Sequence, residues 1–230
     1  MKLVLLDIDG TILSSSGAGR ASMERALTAV FGTPGSSSFH YDGKTDRQIV
    51  RESMRLEGFD EATIDARMDA VISAYLGGLN DALTDTSRMV RLLDGVHALI
   101  EEVHARHDAV LGLLTGNVED GAKLKLGSVG LDYARFRVNA FGSDHEVRGE
   151  LPAIARERMR ETYGVALDGR DVIVIGDTPA DIDCGRAIGA RALAVATGRY
   201  SLVELQSHGP FAAFEDLSDT AAVLEAIYAE

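Results

Sequence analysis

The sequence has one cysteine, no tryptophan and only four prolines in 230 residues. With Cys184 alone, an internal disulfide framework and a cysteine-ligated zinc site are excluded, and a reducing, cytoplasmic setting is expected. Long apolar runs are missing too. None approaches the ~20 residues that a membrane helix requires. The four apolar residues between Lys2 and Asp7 are too few for the apolar region of a signal peptide. Basic residues are scarce: 23 Lys and Arg stand against 36 Asp and Glu, a formal net charge of −13. Neither phosphate neutralisation on nucleic acid nor binding to an anionic membrane is therefore expected, because like charge repels both. What is present, 46% hydrophobic residues, suffices for one large domain or a domain with a smaller companion. The oligomeric state is left open, and a monomer is compatible with the composition.

Five apolar or β-branched segments, residues 3–6, 109–114, 136–140, 172–175 and 192–196, mostly form continuous runs without alternation. That pattern suits parallel strands buried on both faces. Helical spacing follows the second, third and fourth, at 118–127, 151–163 and 180–188. Alternating strand and helix predict an α/β fold, a doubly wound, Rossmann-like parallel sheet with right-handed crossovers. The first crossover, residues 13–111, is far too long for one helix and two loops. Within it, 21–31, 46–57 and 61–76 carry apolar residues at three- and four-residue steps, as in Ile64, Met68, Val71, Ile72 and Tyr75. Polar stretches at 14–19 and 81–88 bracket these helices like linkers. Asp94 reads as the N-cap of a return helix with Val96, Leu99, Ile100 and Val103 on one face. The expected organisation is a core of residues 1–14 and 87–230, with a helical module, 15–86, inserted in its first crossover.

Four segments could carry chemistry. Asp7-Ile8-Asp9-Gly10-Thr11 places two carboxylates on one face where a buried strand ends. An Asp-Gly turn accounts for Asp9-Gly10 but not for Asp7. Thr115-Gly116-Asn117 is either a strand-to-helix cap or an anion site made of a hydroxyl and backbone N–H groups. In Gly176-Asp177-Thr178-Pro179-Ala180-Asp181, Thr178 as N-cap and Pro179 at the first position start a helix, and Asp181 can be a favourable first-turn charge. Asp177 has no such explanation. Residues 143–150 are a solvated loop or a source of one cation, Arg148.

In a parallel sheet all strand carboxyl ends lie on one side, so Asp7, Asp9, Thr115, Arg148 and Asp177 are expected in one crevice. Several carboxylates that close together call for a cation, and hard oxygen ligands beside a phosphate suit Mg²⁺.

These segments resemble the motifs of the haloacid dehalogenase superfamily of hydrolases. Asp7-Ile8-Asp9-Gly10-Thr11 is similar to its first motif, Thr115-Gly116-Asn117 to its second, and Gly176-Asp177 followed by Asp181 to its acidic fourth. The third motif usually supplies a lysine. None of Lys2, Lys44, Lys123 and Lys125 falls in that segment, and Arg148 ahead of Leu151-Pro152 resembles an arginine variant. The inserted module resembles the helical cap of the phosphoglycolate-phosphatase and β-phosphoglucomutase branch, with Gly43-Lys44-Thr45-Asp46 similar to a cap-loop motif.

The resemblance implies a Mg²⁺-dependent phosphatase acting on a small phosphorylated metabolite. Asp7 would be the nucleophile, forming an aspartyl-phosphate, and Asp9 the general acid and base. Asp7, Asp177 and the Asp9 carbonyl would hold the metal, with Asp181 joining or orienting its water. Thr115, Gly116, Asn117 and Arg148 would bind phosphoryl oxygens, while Thr45, Asp46 and Arg47 are candidates for leaving-group contacts. Asp9 argues against dehalogenation, because a halide needs no proton. A phosphomutase, or a phosphonatase using Lys44 as its cap lysine, would share this core. A phospho-accepting signalling domain would be about half as long and lack the insert, and a silent phosphate-binding relative would not need Asp7, Asp9 and Asp177. His97, His104 and His107 are assigned to the solvent face of the return helix, and Cys184 to packing. Gly17-Ala18-Gly19 follows no strand directly and is no dinucleotide fingerprint.

Overall fold

In the structure, a computed structural model that describes residues 1–85, 87 and 89–229, the first apolar run forms β1 (Lys2–Leu6). The expected module boundary at 86 and the linker end at Arg88 lie outside the described residues. After β1 come β2 (Leu13–Ser14) and three helices, α1 (Ala18–Phe31), α2 (Asp46–Leu56) and α3 (Glu61–Thr84). The chain returns through β3 (Arg91–Leu92), α4 (Val96–His104), β4 (Ala109–Thr115) and α5 (Glu119–Ser128). Then follow β5 (Ala140–Phe141), α6 (Leu151–Tyr163), β6 (Val172–Gly176) and α7 (Pro179–Cys184). The last elements are β7 (Arg191–Val195), α8 (Leu202–Ser207), β8 (Ala212–Phe214) and α9 (Thr220–Tyr228).

Six strands form one sheet in the order β5-β4-β1-β6-β7-β8, with every pair parallel. The continuous apolar runs are explained by the two covered faces. Val4 and Leu6 pack with Leu99 and Val103 of α4 and Val223 of α9, while Leu3 and Leu5 pack with Leu151 and Met159 of α6. The chain moves from β1 outward to β4 and β5, then restarts at β6 on the other side of β1. That reversal puts a ligand crevice at the carboxyl end of β1.

The structure departs from expectation in several places. The run at 136–140 joins the ladder as a strand only at Ala140: Arg137 N–H still donates to the Leu111 carbonyl (2.8 Å), but at Leu113 N–H the Asn139 side-chain carbonyl accepts (2.9 Å) where a strand would offer its backbone. Asp94 does not cap α4; Gly95, in the left-handed region, precedes its first residue. The helix expected at 180–188 stops at Cys184, and residues 186–188 form a separate 3-10 turn. The short edge strand β8 and helices α8 and α9 have no counterpart in the expected elements.

The three helices between β2 and β3 own a separate apolar cluster, with Met23, Leu27, Met54, Met68, Val71 and Tyr75 at its centre. Side-chain caps start two of them: Thr45 Oγ1 accepts from Gln48 N–H (3.1 Å) and Asp60 from Thr63 N–H (2.8 Å). α3 extends beyond Leu76 because Leu79, Ala82 and Leu83 prolong its buried face. Each outer helix therefore takes up part of a stretch expected as linker.

Polar bonds dock this insert on the sheet edge. The Asp46 backbone N–H donates to the Gly116 carbonyl (2.8 Å), and its carboxylate accepts from Val118 N–H (2.8 Å). Only glycine fits at 116, where a Cβ would lie 2.1 Å from the Lys44 carbonyl oxygen.

Candidate active site

Three neighbouring strands end in polar residues at the crevice. Past β1 stand Asp7 and Asp9; β4 ends at Thr115; past β6 stands Asp177. With Arg148 they line one cavity of about 280 Å³, roofed by the insert through Arg20, Lys44 and Asp46. Asp7 is 6% exposed, and its backbone N–H donates to the Ile175 carbonyl (2.9 Å). Gly10, at φ +82°, turns the chain tightly beneath Asp177; a Cβ there would stand 2.3 Å from Asp177 Oδ2.

On the β6 side, carboxylates crowd. One oxygen each of Asp7, Asp177 and Asp181 lies within 4.8 Å of the others. Arg148 Nη2 stands 3.2 Å from Asp7 Oδ1 and pairs closely with Asp181. Thr11 Oγ1 donates to Asp177 (3.2 Å). Asp181 doubles as the N3 residue of a capping box, its Oδ2 accepting from Thr178 N–H (3.0 Å) and Oγ1 (2.6 Å). Burial pushes the Asp7 carboxyl up to about 6; Arg148 opposes the rise, while Asp181 and Asp9 add to it. Asp177 is pushed well above the carboxylate range by burial, with the charges of Asp181 and Asp7 adding. Such a set is short of positive charge. Three hard oxygen donors crowded together fit a small divalent cation such as Mg²⁺. Arg148 Nε is buried and without a hydrogen-bond partner among the described residues.

On the α5 side the carboxylate is paired. Asn117 Nδ2 donates to Asp9 Oδ2 (2.9 Å) and to Thr115 Oγ1 (2.8 Å). Lys125 Nζ donates to the same Asp9 oxygen (2.5 Å) and to Asn117 Oδ1 (2.6 Å). Burial alone would raise Asp9, but the Lys125 charge and hydrogen bond, with those of Asn117 and Ser15, hold its carboxyl below the ordinary value. The sequence reading passed over Lys125, which is only 3% exposed. Its signal was its place in the apolar stripe of α5, between Ala122 and Leu126 and in step with Val118.

The three insert candidates divide. Asp46 lines the cavity, and burial pushes its carboxyl up to about 6 against the pull of Lys125 and Val118 N–H. Thr45 is fully buried outside the lining, its hydroxyl donating to the Glu146 carbonyl (2.7 Å). Arg47 turns outward to Asp69 (3.4 Å). Lys44 lines the cavity with its ammonium paired to Glu52 (2.8 Å). Burial raises the Cys184 thiol to about 12, so it has little thiolate character.

A family model of haloacid dehalogenase-like hydrolases matches residues 4–195. Among solved structures, a hydrolase from Pseudomonas syringae is 20% identical with a TM-score of 0.76, covering 98% of each chain. A predicted phosphoglycolate phosphatase from Haemophilus somnus is 19% identical (TM-score 0.70), over 97% of this chain and 98% of its own. A candidate β-phosphoglucomutase from Bacteroides vulgatus is 18% identical (TM-score 0.70), over 99% of this chain and 88% of its own. At such identities the likeness is one of fold. No curated protein matches the chain. Among the described residues no helix is long and apolar enough to cross a membrane.

Proposed function

Since the chain belongs to the haloacid dehalogenase-like hydrolases, we propose that it is a phosphatase that hydrolyses a small-molecule phosphomonoester through a covalent intermediate on Asp7. One observation carries the reading. Asp7 stands at the end of β1 beside Arg148 and grouped with Asp177 and Asp181, with Asp9 facing the same cavity.

Asp7, Asp177 and Asp181, with the Asp9 carbonyl, are the residues that would hold Mg²⁺. When bound, the ion neutralises crowded carboxylates and draws charge from the phosphoryl oxygens. Asp7 attacks phosphorus as the bond to the leaving oxygen breaks, giving an aspartyl-phosphate. Asp9 donates a proton to that oxygen, so an alcohol departs. An entering phosphate dianion favours this protonated form, because neighbouring negative charge raises a carboxyl. Asp9, now ionised, takes a proton from water, whose oxygen attacks phosphorus and frees phosphate and Asp7. Thr115, the Gly116 and Asn117 N–H groups and Arg148 spread the charge of the transferring group. The cavity of about 280 Å³ under the insert supports a small metabolite as the substrate.

The test is phosphate release from 4-nitrophenyl phosphate and a panel of sugar and organic-acid phosphates, with and without Mg²⁺. The wild type should turn over at least one of them. Asp7→Asn should lower the rate by about a thousandfold or more. A wild type that releases no phosphate from any of them overturns the phosphatase. Transfer of the phosphoryl group to a sugar hydroxyl, without release, would mark a mutase instead.

A further inference from the structure

The two catalytic carboxylates are served by different cations. Arg148 reaches Asp7 and Asp181, whereas Lys125 reaches Asp9 and Asn117. We propose that Lys125 is the positioning residue for Asp9, fixing the carboxyl that exchanges a proton with the leaving group. This rests on the phosphatase reading above.

The argument starts from freedom of motion. The Asp9 side chain is 41% exposed, so packing alone does not hold it. What holds Oδ2 is a pair of donors, Lys125 Nζ at 2.5 Å and Asn117 Nδ2 at 2.9 Å. Those donors are bonded to each other, Lys125 Nζ to Asn117 Oδ1 at 2.6 Å, and Asn117 is tied in turn to Thr115 Oγ1 at 2.8 Å. Asp9 is thereby locked to the group that would bind the phosphoryl oxygens. Neither of these two donors uses Oδ1.

The same ammonium abuts the insert. A Cβ built on Gly19 of α1 would stand 3.4 Å from Lys125 Nζ and 3.9 Å from the Tyr75 hydroxyl of α3. Docking of the insert therefore covers Lys125 and leaves it Asp9 and Asn117 as acceptors. Burying an ammonium is costly and, for stability alone, often no better than an apolar residue of similar volume. Orientation of an acid gives that charge a use. Correct placement matters because a proton donor must lie within hydrogen-bond reach of the atom it serves.

The experiment compares Lys125→Met with wild type on phenyl phosphates running from 4-nitrophenyl, whose phenolate leaves without a proton, to 4-methoxyphenyl, whose phenolate needs one. General acid catalysis is worth about 10²–10⁴ in rate, so kcat for the 4-methoxyphenyl ester should fall at least about tenfold more than for the 4-nitrophenyl ester, with KM little changed. Asp9→Asn should show the same tilt, and adding Lys125→Met to it should cost little more. Lys125→Gln, which keeps an N–H donor without the charge, should fall between, and it carries the comparison where the methionine variant does not fold. A loss uniform across the series, or fully additive with Asp9→Asn, overturns the proposal. Should the wild type hydrolyse none of these esters or the panel above, the phosphatase reading fails separately. A crystal structure of Lys125→Met then decides: an Asp9 carboxylate turned away from Asn117 upholds the hold, and an unmoved one refutes it.

Discussion

Asp7 and Asp9 leave the same strand end two residues apart, yet the two flanks of the cavity treat them oppositely. On the β6 flank Asp7 shares a buried space with Asp177 and Asp181, and Arg148 is the cation set among them. Burial drives Asp7 up to about 6 and Asp177 higher than ordinary carboxylates. On the α5 flank Asp9 is half open to the cavity and paired with an ammonium and an amide, which keep it below its usual value. Crowding short of positive charge makes a site that seeks a cation, and pairing favours the ionised form of a carboxylate. Environments that push two carboxyls apart are how one strand end can supply both a nucleophile and a base.

The sharpest way to break this contrast is to remove the cation from the crowded flank. Arg148→Met should lower stability by about 3–5 kcal/mol at pH 7.5 without Mg²⁺, as seen when buried pairs lose one partner. Denaturant unfolding should show the loss shrinking towards pH 5, as the carboxyls take up protons. Unchanged stability would mean that the flank is not held by charge at all.

A smaller effect is expected where the insert meets the sheet. The Asp46 carboxyl is held at about 6 against 3.8 for a free one. Between those values the folded protein binds the proton more tightly than the unfolded chain, so stability falls as pH rises through the window. Above about 6 the ionised group costs up to roughly 3 kcal/mol. Asp46→Asn, whose side-chain carbonyl can still accept from Val118 N–H, should recover part of this at pH 7.5 and almost none near pH 3.5. An equal gain at both pH values would exclude ionisation as its source.

The smallest effect concerns the cation itself. Protons on Asp7 compete with Mg²⁺ below about 6. Its affinity by calorimetry should therefore weaken by up to about tenfold for each pH unit lost there, near 1.4 kcal/mol. A flat affinity from pH 5 to 7.5 would show that Asp7 is not part of the binding set.

Much of the layout was legible because it rests on local periodicity. Runs such as residues 3–6 and 172–175 are apolar at every position, which only a strand covered on both faces tolerates, so the polar residue that follows each must stand at the sheet edge. The segment at 136–140 misled because its apolar count hides Asn139, whose side chain replaces a ladder bond. The insert loop was only partly readable. Thr45, Asp46 and Arg47 are adjacent in sequence, but the first turn of α2 sends one to a cap, one to the cavity and one outward to Asp69. Lys125 was missed because a lysine in an apolar stripe also fits a side chain that snorkels to solvent. The insert covers it, and nothing in α5 by itself announces that.

By itself, then, the sequence determined the α/β architecture and which carboxylates reach the end of which strand, since hydrophobic period and strand polarity act over a few residues. Only the tertiary structure decided what each of those carboxylates became. The Asp9–Lys125 pair spans 116 positions and the Asp46–Val118 bond 72. Desolvation and Coulomb energies depend on distances in space, which folding alone sets. Two aspartates separated by one isoleucine in the chain thus came to hold protons with opposite readiness.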